Sequence, residues 1–301
     1  GKGVSLMRVL HLINAFNRGG IEKWLLSMIM EVHRESCELD VCCKGAGIGP
    51  WAQIATEHGA RIYHCPLRPS QIGFVRGLER ILTENRYDLV HNHLGVYSGL
   101  AVWVAHKVGI HVITTFHNPN FSRASKILSL PGFSLLRQLY GRFSIAYAIR
   151  QSELITAISA GVLNDLIPPE SAYRKKAVIH YYGIEFPAMA TDEEKVAFRE
   201  SMGWNAETPV VSHVGRFFEQ KNHFGLLTIF ERVHRQIPEA KLILVGEGPL
   251  ADRVRARVKS QGLNNAVHML GARDDAVALM ARSDVLLFPS FFEGFGIVAL
   301  E

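Results

Sequence analysis

Residues 7–33 read MRVLHLINAFNRGGIEKWLLSMIMEVH and are predicted to contain one complete strand, turn and helix. The apolar, β-branched run Arg8–Asn14 predicts a buried strand, and Gly19-Gly20 predicts the turn after it. Apolar residues at helical spacing then predict an amphipathic helix over Glu22–His33. These residues are Trp24, Leu25, Met28, Ile29 and Val32. A strand followed by a helix is the unit from which parallel α/β sheets are built.

The same unit repeats along the chain. Further strands are predicted at Glu38–Cys43, Arg61–Pro66, Asp88–His93, His111–His117, Leu154–Ser159 and Ala177–Tyr182, with helices at Phe74–Asn85 and Gly95–Val108. Periodicity is lost after Gly183, and a proline-containing segment over 185–192 predicts an interdomain linker. The pattern restarts with strands at Val210–Val214, Lys241–Val245, Val267–Leu270 and Val285–Pro289 and helices at Asn222–Gln236, Leu250–Gln261 and Asp275–Arg282.

The sequence therefore predicts an α/β protein with two Rossmann-like domains, over 1–185 and 186–301. Because a strand–helix unit takes about 30 residues, roughly two units are missing after the fourth strand of the second domain. We expect that domain to be incomplete at its C-terminus.

The composition is that of an ordinary globular protein and excludes disordered and collagen-like chains. Of 301 residues, 48% are hydrophobic and 20% charged, and no apolar run reaches the ~18 residues of a membrane span. The four cysteines show no metal-binding spacing and are too few for a secreted disulfide scaffold, which predicts a cytoplasmic location. These residues are Cys37, Cys42, Cys43 and Cys65.

Positive charge is concentrated in the first half of the chain. Residues 1–185 carry 20 Lys and Arg against 13 Asp and Glu, whereas 186–301 carry 13 against 15. No acidic residue occurs between Asp88 and Glu153, although six basic residues do: Lys107, Arg123, Lys126, Arg137, Arg142 and Arg150. This pattern predicts an anionic partner. Aromatic residues are not interleaved with these charges, so nucleic acid is not expected.

One helix in this basic segment has two interpretations. Over 134–151, the apolar residues Leu135, Leu139, Phe143, Ala146 and Tyr147 share a helical face flanked by arginines. The helix is either a core helix with a basic outer face or, together with the rest of 120–151, a peripheral surface for anionic lipid.

Three glycine-containing stretches follow predicted strands. Gly19-Gly20 would let the backbone approach a phosphate or sugar, or is a plain turn; it lacks the G-x-G-x-x-G fingerprint of nicotinamide enzymes. Arg216 and Lys221, in the loop after Val210–Val214, suit a diphosphate, or are solvated loop charges.

The third stretch, FFEGFGIVALE over 291–301, contains two glutamates eight residues apart. Glu293 lies at a strand end, where Gly294–Gly296 are expected to open a helix whose free N–H groups face phosphate. Glu301 would lie about two helical turns further on, so both carboxylates would address one cleft.

These motifs together resemble the signature of the retaining glycosyltransferases of family 4. The resemblance spans the chain through G-G-x-E at Gly19–Glu22, D-L-V-H-x-H at Asp88–His93, T-x-H at Thr115–His117, the strand end Thr156–Ser159, G-E-G-P at Gly246–Pro249 and the pair Glu293 and Glu301. It implies the GT-B fold, in which two Rossmann-like domains face each other across a cleft. The chain departs from the family's P-N-G-[IV]-D motif with Tyr182-Gly183-Ile184-Glu185.

The resemblance also implies roles for these residues. Arg216 and Lys221 would hold the diphosphate of a nucleotide-sugar donor, Glu293 the hydroxyls of the transferred sugar, and Glu301 the ribose. His117 corresponds to the family's active-site histidine. The remaining residues expected to bind the donor are Gly19, Gly20, Glu247, Gly294, Phe295 and Gly296.

The expected reaction is the transfer of a hexose or N-acetylhexosamine, from a UDP-sugar, to a glycan or lipid-linked acceptor of the cell envelope at the inner face of the cytoplasmic membrane. The leaving phosphate helps to deprotonate the acceptor in such enzymes, and the sequence has no D-x-D motif to hold Mg²⁺, so no metal or other cofactor is expected. His91 and His93 point the same way from their strand but lack a third ligand nearby in sequence. The alternatives are a nucleotide-sugar-binding protein without turnover and a transferase with a small-molecule acceptor.

Overall fold

A computed structural model describes residues 6–32, 37–118, 133–184 and 186–301. The chain divides into two compact units, Gly1–Gly183 and Ile184–Glu301, called unit 1 and unit 2 here. The predicted boundary after residue 185 lies two residues further along the chain. Glu185, Arg123 and Lys126 lie outside the described residues.

Unit 1 contains a parallel sheet of seven strands. They are β1 Met7–Ile13, β2 Cys37–Cys43, β3 Ile62–His64, β4 Leu89–Asn92, β5 His111–Phe116, β6 Leu154–Ala157 and β7 Ala177–Ile179. The spatial order is β3-β2-β1-β4-β5-β6-β7. Every pairing is parallel. The chain therefore reverses its direction of winding between β1 and β4.

Helices follow most of these strands. Those described in unit 1 are α1 Gly20–Val32, α2 Ala52–Glu57, α3 Gln71–Asn85, α4 Ser98–Lys107, α5 Phe133–Gln151 and α6 Ala160–Leu166. The helix predicted from Gly95 begins instead with a 3₁₀ turn over Gly95–Tyr97. Gly95 has a φ of 56°, which is incompatible with a regular first helical turn.

The core of unit 1 forms on β1, because this central strand is buried almost throughout. Leu10 and Leu12 are fully buried, as is Leu25 of α1. Side chains on a strand point alternately to opposite faces, so a continuous buried run requires cover on both faces.

Unit 2 contains four parallel strands in the order β10-β9-β8-β11. They are β8 Val210–Val214, β9 Lys241–Val245, β10 Val267–Gly271 and β11 Val285–Leu286. The helices are α7 Asp192–Ser201, α8 His223–Gln236, α9 Ala251–Ser260 and α10 Ala276–Ala281. Two apolar clusters cover this sheet, one around Phe217, Phe230 and Leu242, the other around Phe198 and Ile243.

Two predicted strands end earlier than expected. β7 stops at Ile179, which leaves His180 to Tyr182 outside the sheet, and β11 stops at Leu286. After Gly294–Gly296, where a helix is expected to open, the described residues form a 3₁₀ turn over Ile297–Ala299. Glu301 donates an i→i−4 hydrogen bond to Ile297 O there.

Helix α5 packs on α4 through small residues. The Ser144 hydroxyl accepts a 2.9 Å hydrogen bond from the Gly99 N–H, and both residues are buried. The opposite face of α5 exposes Leu139 and Phe143. These two apolar side chains are therefore not core residues. No helix in the described parts of the chain is long and apolar enough to span a membrane.

A buried arginine connects α7 to the start of β11. The Arg199 guanidinium donates two 2.8 Å hydrogen bonds to the carboxylate of Asp284. That carboxylate also accepts a 2.7 Å bond from the Val210 N–H at the start of β8. One carboxylate therefore connects two strands and a helix in unit 2.

Replacing that carboxylate tests its contribution to unit 2. We expect Asp284→Asn to lower the free energy of unfolding by about 2 kcal/mol, because Arg199 is left buried without its counter-charge while Asp284 itself is partly exposed. Urea denaturation followed by far-ultraviolet circular dichroism measures the change. In the exposed Arg235–Glu231 pair, 3.2 Å apart, Arg235→Gln should change the unfolding free energy by less than about 0.5 kcal/mol. Equal losses of unfolding free energy in Asp284→Asn and Arg235→Gln would contradict the stabilising role of the Asp284 carboxylate.

Candidate active site

Polar side chains collect at the carboxyl ends of the strands in unit 1. Asn14 follows β1, Lys44 follows β2, His93 follows β4 and His117 follows β5. These residues line a cavity of about 830 Å³. The cavity opens where the winding reverses between β1 and β4, and such reversal points are the usual ligand sites of open parallel sheets.

Three histidines and a tyrosine form a hydrogen-bonded row there. His11 Nδ1 lies 3.2 Å from His93 Nε2, and His93 Nδ1 lies 2.9 Å from His117 Nε2. The Tyr182 hydroxyl lies 2.7 Å from His117 Nδ1, and its ring stacks on Trp24 with centroids 4.6 Å apart. Neither His11 nor Tyr182 was among the predicted site residues. His11 lies inside a predicted strand, and Tyr182 was noted only as a departure from the P-N-G-[IV]-D motif.

Both ring nitrogens of His117 are thus occupied by protein partners. A ligand that hydrogen-bonds to this ring has to displace His93 or Tyr182. Burial lowers the pKa of His117 to about 3, so the ring is neutral at physiological pH. A neutral imidazole donates through one nitrogen and accepts through the other. The tautomer of one histidine in the row therefore fixes the tautomer of the next histidine.

His11 supplies the third imidazole that the sequence did not place beside His91 and His93. Their nitrogens lie within 4.8 Å of one another, so these three side chains are the set that could hold a metal ion in the described chain. In the structure they bond to protein instead. His91 Nε2 lies 2.6 Å from the Thr115 hydroxyl, and His93 bonds to His11 and His117.

In unit 2, the loop after β8 and the loop after β11 are held together by hydrogen bonds. The Gln220 side chain donates to Phe292 O at 2.9 Å, and the Phe291 N–H donates back to Gln220 O at 2.9 Å. Asn222 donates to Pro289 O at 3.1 Å. Asn222 also caps α8, because its side chain accepts from the Gly225 N–H.

This connection brings together two of the predicted site residues. Lys221 Nζ lies 2.6 Å from Glu293 Oε1, and both side chains are largely buried. The ammonium also lies 5.1 Å from the centre of the Phe288 ring. The predicted diphosphate ligand and the predicted sugar ligand therefore form an ion pair with each other in this structure.

The other predicted residues of unit 2 surround this pair. The Arg216 guanidinium is exposed over the Phe218 ring, 5.1 Å from its centre. Among the described residues it has no ion-pair partner. Glu247 follows β9, and its backbone carbonyl accepts a 2.8 Å bond from Phe217 N–H. Gly246 has a φ of 140°, and a Cβ there would overlap Gly215 O, so only glycine allows this approach.

Gly294, Phe295 and Gly296 follow Glu293 and lead into the 3₁₀ turn before Glu301. Gly296 has a φ of 71°, a left-handed conformation that favours glycine. Gly19 and Gly20 belong to unit 1, where Gly20 begins α1.

Two buried histidines that the sequence analysis missed lie behind the Lys221–Glu293 pair. His213 Nδ1 donates to Leu287 O at 2.9 Å. The His223 ring stacks on Phe217, with centroids 4.2 Å apart, and meets the His213 ring edge-on at 4.9 Å. Burial, with smaller contributions from His213 and Lys221, lowers the pKa of His223 to about 3. Neutral rings avoid repulsion with the Lys221 ammonium.

Two parallel α/β units with ligand-type side chains at their strand ends are the architecture of the GT-B class of glycosyltransferases. A crystal structure of Anabaena Alr3699/HepE in complex with UDP and glucose matches 97% of this chain and 77% of that one, with a TM-score of 0.76 at 21% sequence identity. The fold is thus that of the GT-B transferases.

Family models match both units. A glycosyl transferase 4-like domain matches residues 19–183, and the glycosyl transferases group 1 model matches residues 194–301. Since the first match alone covers more than half of the chain, the protein belongs to this family of glycosyltransferases. The resemblance noted in the motifs is confirmed.

Curated relatives agree with that assignment. The chain is 24% identical over 315 residues to a putative glycosyltransferase, EpsF, of Bacillus subtilis, covering 99% of this chain and 77% of that protein. It is 30% identical over 164 residues to N-acetylgalactosamine-N,N'-diacetylbacillosaminyl-diphospho-undecaprenol 4-alpha-N-acetylgalactosaminyltransferase of Campylobacter jejuni, covering 54% of this chain and 42% of that protein.

The depressed pKa of His223 predicts a pH dependence of stability. The folded protein keeps this ring neutral down to pH about 3, whereas the unfolded chain protonates it below pH about 6.5. The stabilisation from the neutral His223 ring is therefore complete above pH 6.5. As the pH falls below 6.5, the free energy of unfolding decreases by about 1.4 kcal/mol per pH unit on account of this ring. Chemical denaturation between pH 7 and pH 4 measures this slope. His223→Gln should reduce the slope by that amount, and an unchanged slope would contradict the prediction.

Proposed function

We propose that this protein is a retaining, metal-independent glycosyltransferase that transfers a hexose or N-acetylhexosamine from a UDP-sugar to a glycan or lipid-linked acceptor. The observation that carries this proposal is the Lys221–Glu293 pair at 2.6 Å, together with Arg216 in the same loop, whose guanidinium has no ion-pair partner among the described residues. Unit 2 would bind the donor and unit 1 the acceptor. Family membership supports the reaction class.

A bound nucleotide sugar would separate Lys221 from Glu293 and give each side chain a partner on the ligand. The donor diphosphate takes over the Lys221 ammonium and the Arg216 guanidinium, and Glu293 then accepts hydrogen bonds from hydroxyls of the sugar. Cations placed on the leaving diphosphate stabilise the charge that grows there as the glycosidic bond breaks. Because Lys221 and Glu293 are already held in place by their neighbours, little further movement of these side chains is needed to reach the transition state.

The remaining donor contacts follow from the loops around the pair. Backbone N–H groups at Gly294, Phe295 and Gly296 are proposed to face phosphate, and Glu301 to bind the ribose. Gly19, Gly20 and Glu247 complete the donor-binding set. His117 is proposed to hydrogen-bond to the sugar or the transition state, with one of its present partners exchanged for the ligand.

The proposed chemistry requires neither a protein nucleophile nor a metal. The acceptor attacks from the side on which the diphosphate leaves, and the leaving phosphate accepts the acceptor's proton, so the anomeric configuration is retained. The biosynthesis of cell-envelope polysaccharide or lipopolysaccharide, at the cytoplasmic face of the membrane, is the proposed setting. The diphospho-undecaprenol in the name of the Campylobacter relative supports a lipid-linked acceptor.

Removal of one cation tests the donor site. We expect Lys221→Gln to reduce turnover of UDP-sugars by 100-fold or more, because a single preorganised donor to the transition state contributes about that factor. Release of UDP from UDP-glucose and UDP-N-acetylglucosamine, with an acceptor extract, measures the rate. Lys259→Gln, which removes an exposed charge from α9 of the same unit, is the matched control and should turn over normally.

Near-normal turnover in Lys221→Gln would refute the assignment of this residue. Tight UDP-sugar binding without any release of UDP would favour the alternative of a binding protein without turnover.

EDTA should leave the rate of UDP release unchanged, and strict dependence on Mg²⁺ would contradict the metal-free mechanism. An α-linked product from an α-linked donor, identified by NMR of the anomeric proton, would establish retention.

We also propose that α5 places unit 1 against anionic lipid, within the basic segment 120–151. Leu139 is 40% and Phe143 73% exposed, one helical turn apart, and the exposed Arg142 and Arg150 flank them. An apolar stripe bordered by cations suits the boundary between acyl chains and anionic headgroups. The side chains of Leu135 and Arg137 lie outside the described part of the helix.

Vesicle binding tests this surface. We expect Phe143→Glu to reduce co-sedimentation with phosphatidylglycerol vesicles several-fold, because a carboxylate opposes both the apolar contact and the headgroup charge. Phe186→Glu, at an exposed phenylalanine of unit 2, is the matched control and should bind like the parent protein. Equal retention of both variants, or equal binding to phosphatidylcholine, would refute the proposal.

A further inference from the structure

The cavity of unit 1 contains cations that no carboxylate balances. Lys44, at the end of β2, and Arg68, in the loop after β3, both line it, as does Arg142 of α5. None of the described residues that line the cavity is Asp or Glu. The residues from 89 to 152, which include the part of the chain between β5 and α5, contain no acidic residue at all.

Among the described residues, the contacts of Lys44 use only one of the three hydrogen-bond donors of its ammonium. Its ammonium donates one 3.0 Å bond to Asn14 Oδ1 and lies 4.5 Å from the centre of the Tyr97 ring. An ammonium has three N–H donors, so two remain for a ligand. Partial burial and, to a smaller extent, the nearby positive charge of Arg68 lower the pKa of Lys44.

Two cations that repel each other in a partly desolvated cavity cost free energy in the empty protein. An anion that binds between the two cations relieves this repulsion, and the relief strengthens the binding of the anion. The geometry favours an anion for a second reason, because Gln71, the first residue of the 15-residue helix α3, also lines the cavity. The N-terminal end of a helix carries partial positive charge.

We propose that the cavity of unit 1 binds a doubly charged oxyanion carried by the acceptor, with Lys44 and Arg68 as its charged ligands and Asn14 and Gln71 as polar neighbours. A phosphate ester, a diphosphate and a dicarboxylate share this chemistry. The assignment of the anion to the acceptor rests on the proposed glycosyl transfer, but binding of the anion does not.

Isothermal titration calorimetry with inorganic pyrophosphate, orthophosphate and succinate tests the site and distinguishes the three sources. The titrations use the double variant Arg216→Gln, Lys221→Gln as the parent, which removes both cations of the proposed donor site of unit 2. We expect at least one anion to bind, and Lys44→Gln and Arg68→Gln each to weaken it about tenfold. The anion that binds most tightly identifies the acceptor group.

Lys175→Gln is the control for charge, because Lys175 is exposed and precedes β7, at the amino-terminal edge of the sheet. It should bind the anion like the parent. Arg68 is exposed, so its variant keeps the proposal open to refutation even if Lys44→Gln fails to fold. No binding of any anion at millimolar concentration, or equal weakening by all three substitutions, would overturn the proposal.

Failure of this site and failure of the proposed transfer are distinguishable. In the protein with Lys221 intact, Arg68→Gln should raise the KM for an anionic acceptor, whereas Lys175→Gln should leave that KM and the slow hydrolysis of UDP-sugar by water unchanged. Normal UDP-sugar hydrolysis without anion binding refutes the subsite alone. Anion binding without UDP release refutes the transfer alone.

Discussion

The parallel direction of the strands is the constraint on which both candidate sites depend. In a parallel sheet all loops that follow strands emerge at one edge, so residues far apart in sequence become neighbours there. His11, His93 and His117 meet in unit 1 because β1, β4 and β5 are adjacent and aligned. Lys221 and Glu293 meet in unit 2 in the same way, because β8 pairs with β11.

The two units differ in the partners of their lysine ammonium groups at the carboxyl ends of the strands. In unit 2 the Lys221 ammonium is held by the Glu293 carboxylate, so this pair carries no net charge. In unit 1 the Lys44 ammonium is held by a neutral amide and an aromatic ring, and no carboxylate lines the cavity among the described residues. The first arrangement suits a ligand that brings both phosphate and hydroxyl groups, and the second suits an anion.

Much of the fold was predictable because strand and helix periodicities are local properties. The strand patterns of both units matched the observed elements to within a few residues, and the glycine-containing loops were placed at the correct strand ends. The outer face of α5 was ambiguous, because apolar periodicity shows that Leu139 and Phe143 share a face but not what that face contacts.

The sequence by itself determined the α/β class and the glycosyltransferase family, because these depend on periodicity and on motifs of contiguous residues. Only the tertiary structure decided that Lys221 pairs with Glu293, that Tyr182 and His11 complete the row containing His117, and that Lys44 and Arg68 share a cavity. Each of these relations joins residues from separate strand–helix units. Their distances are set by the order and register of the strands, which no local pattern encodes.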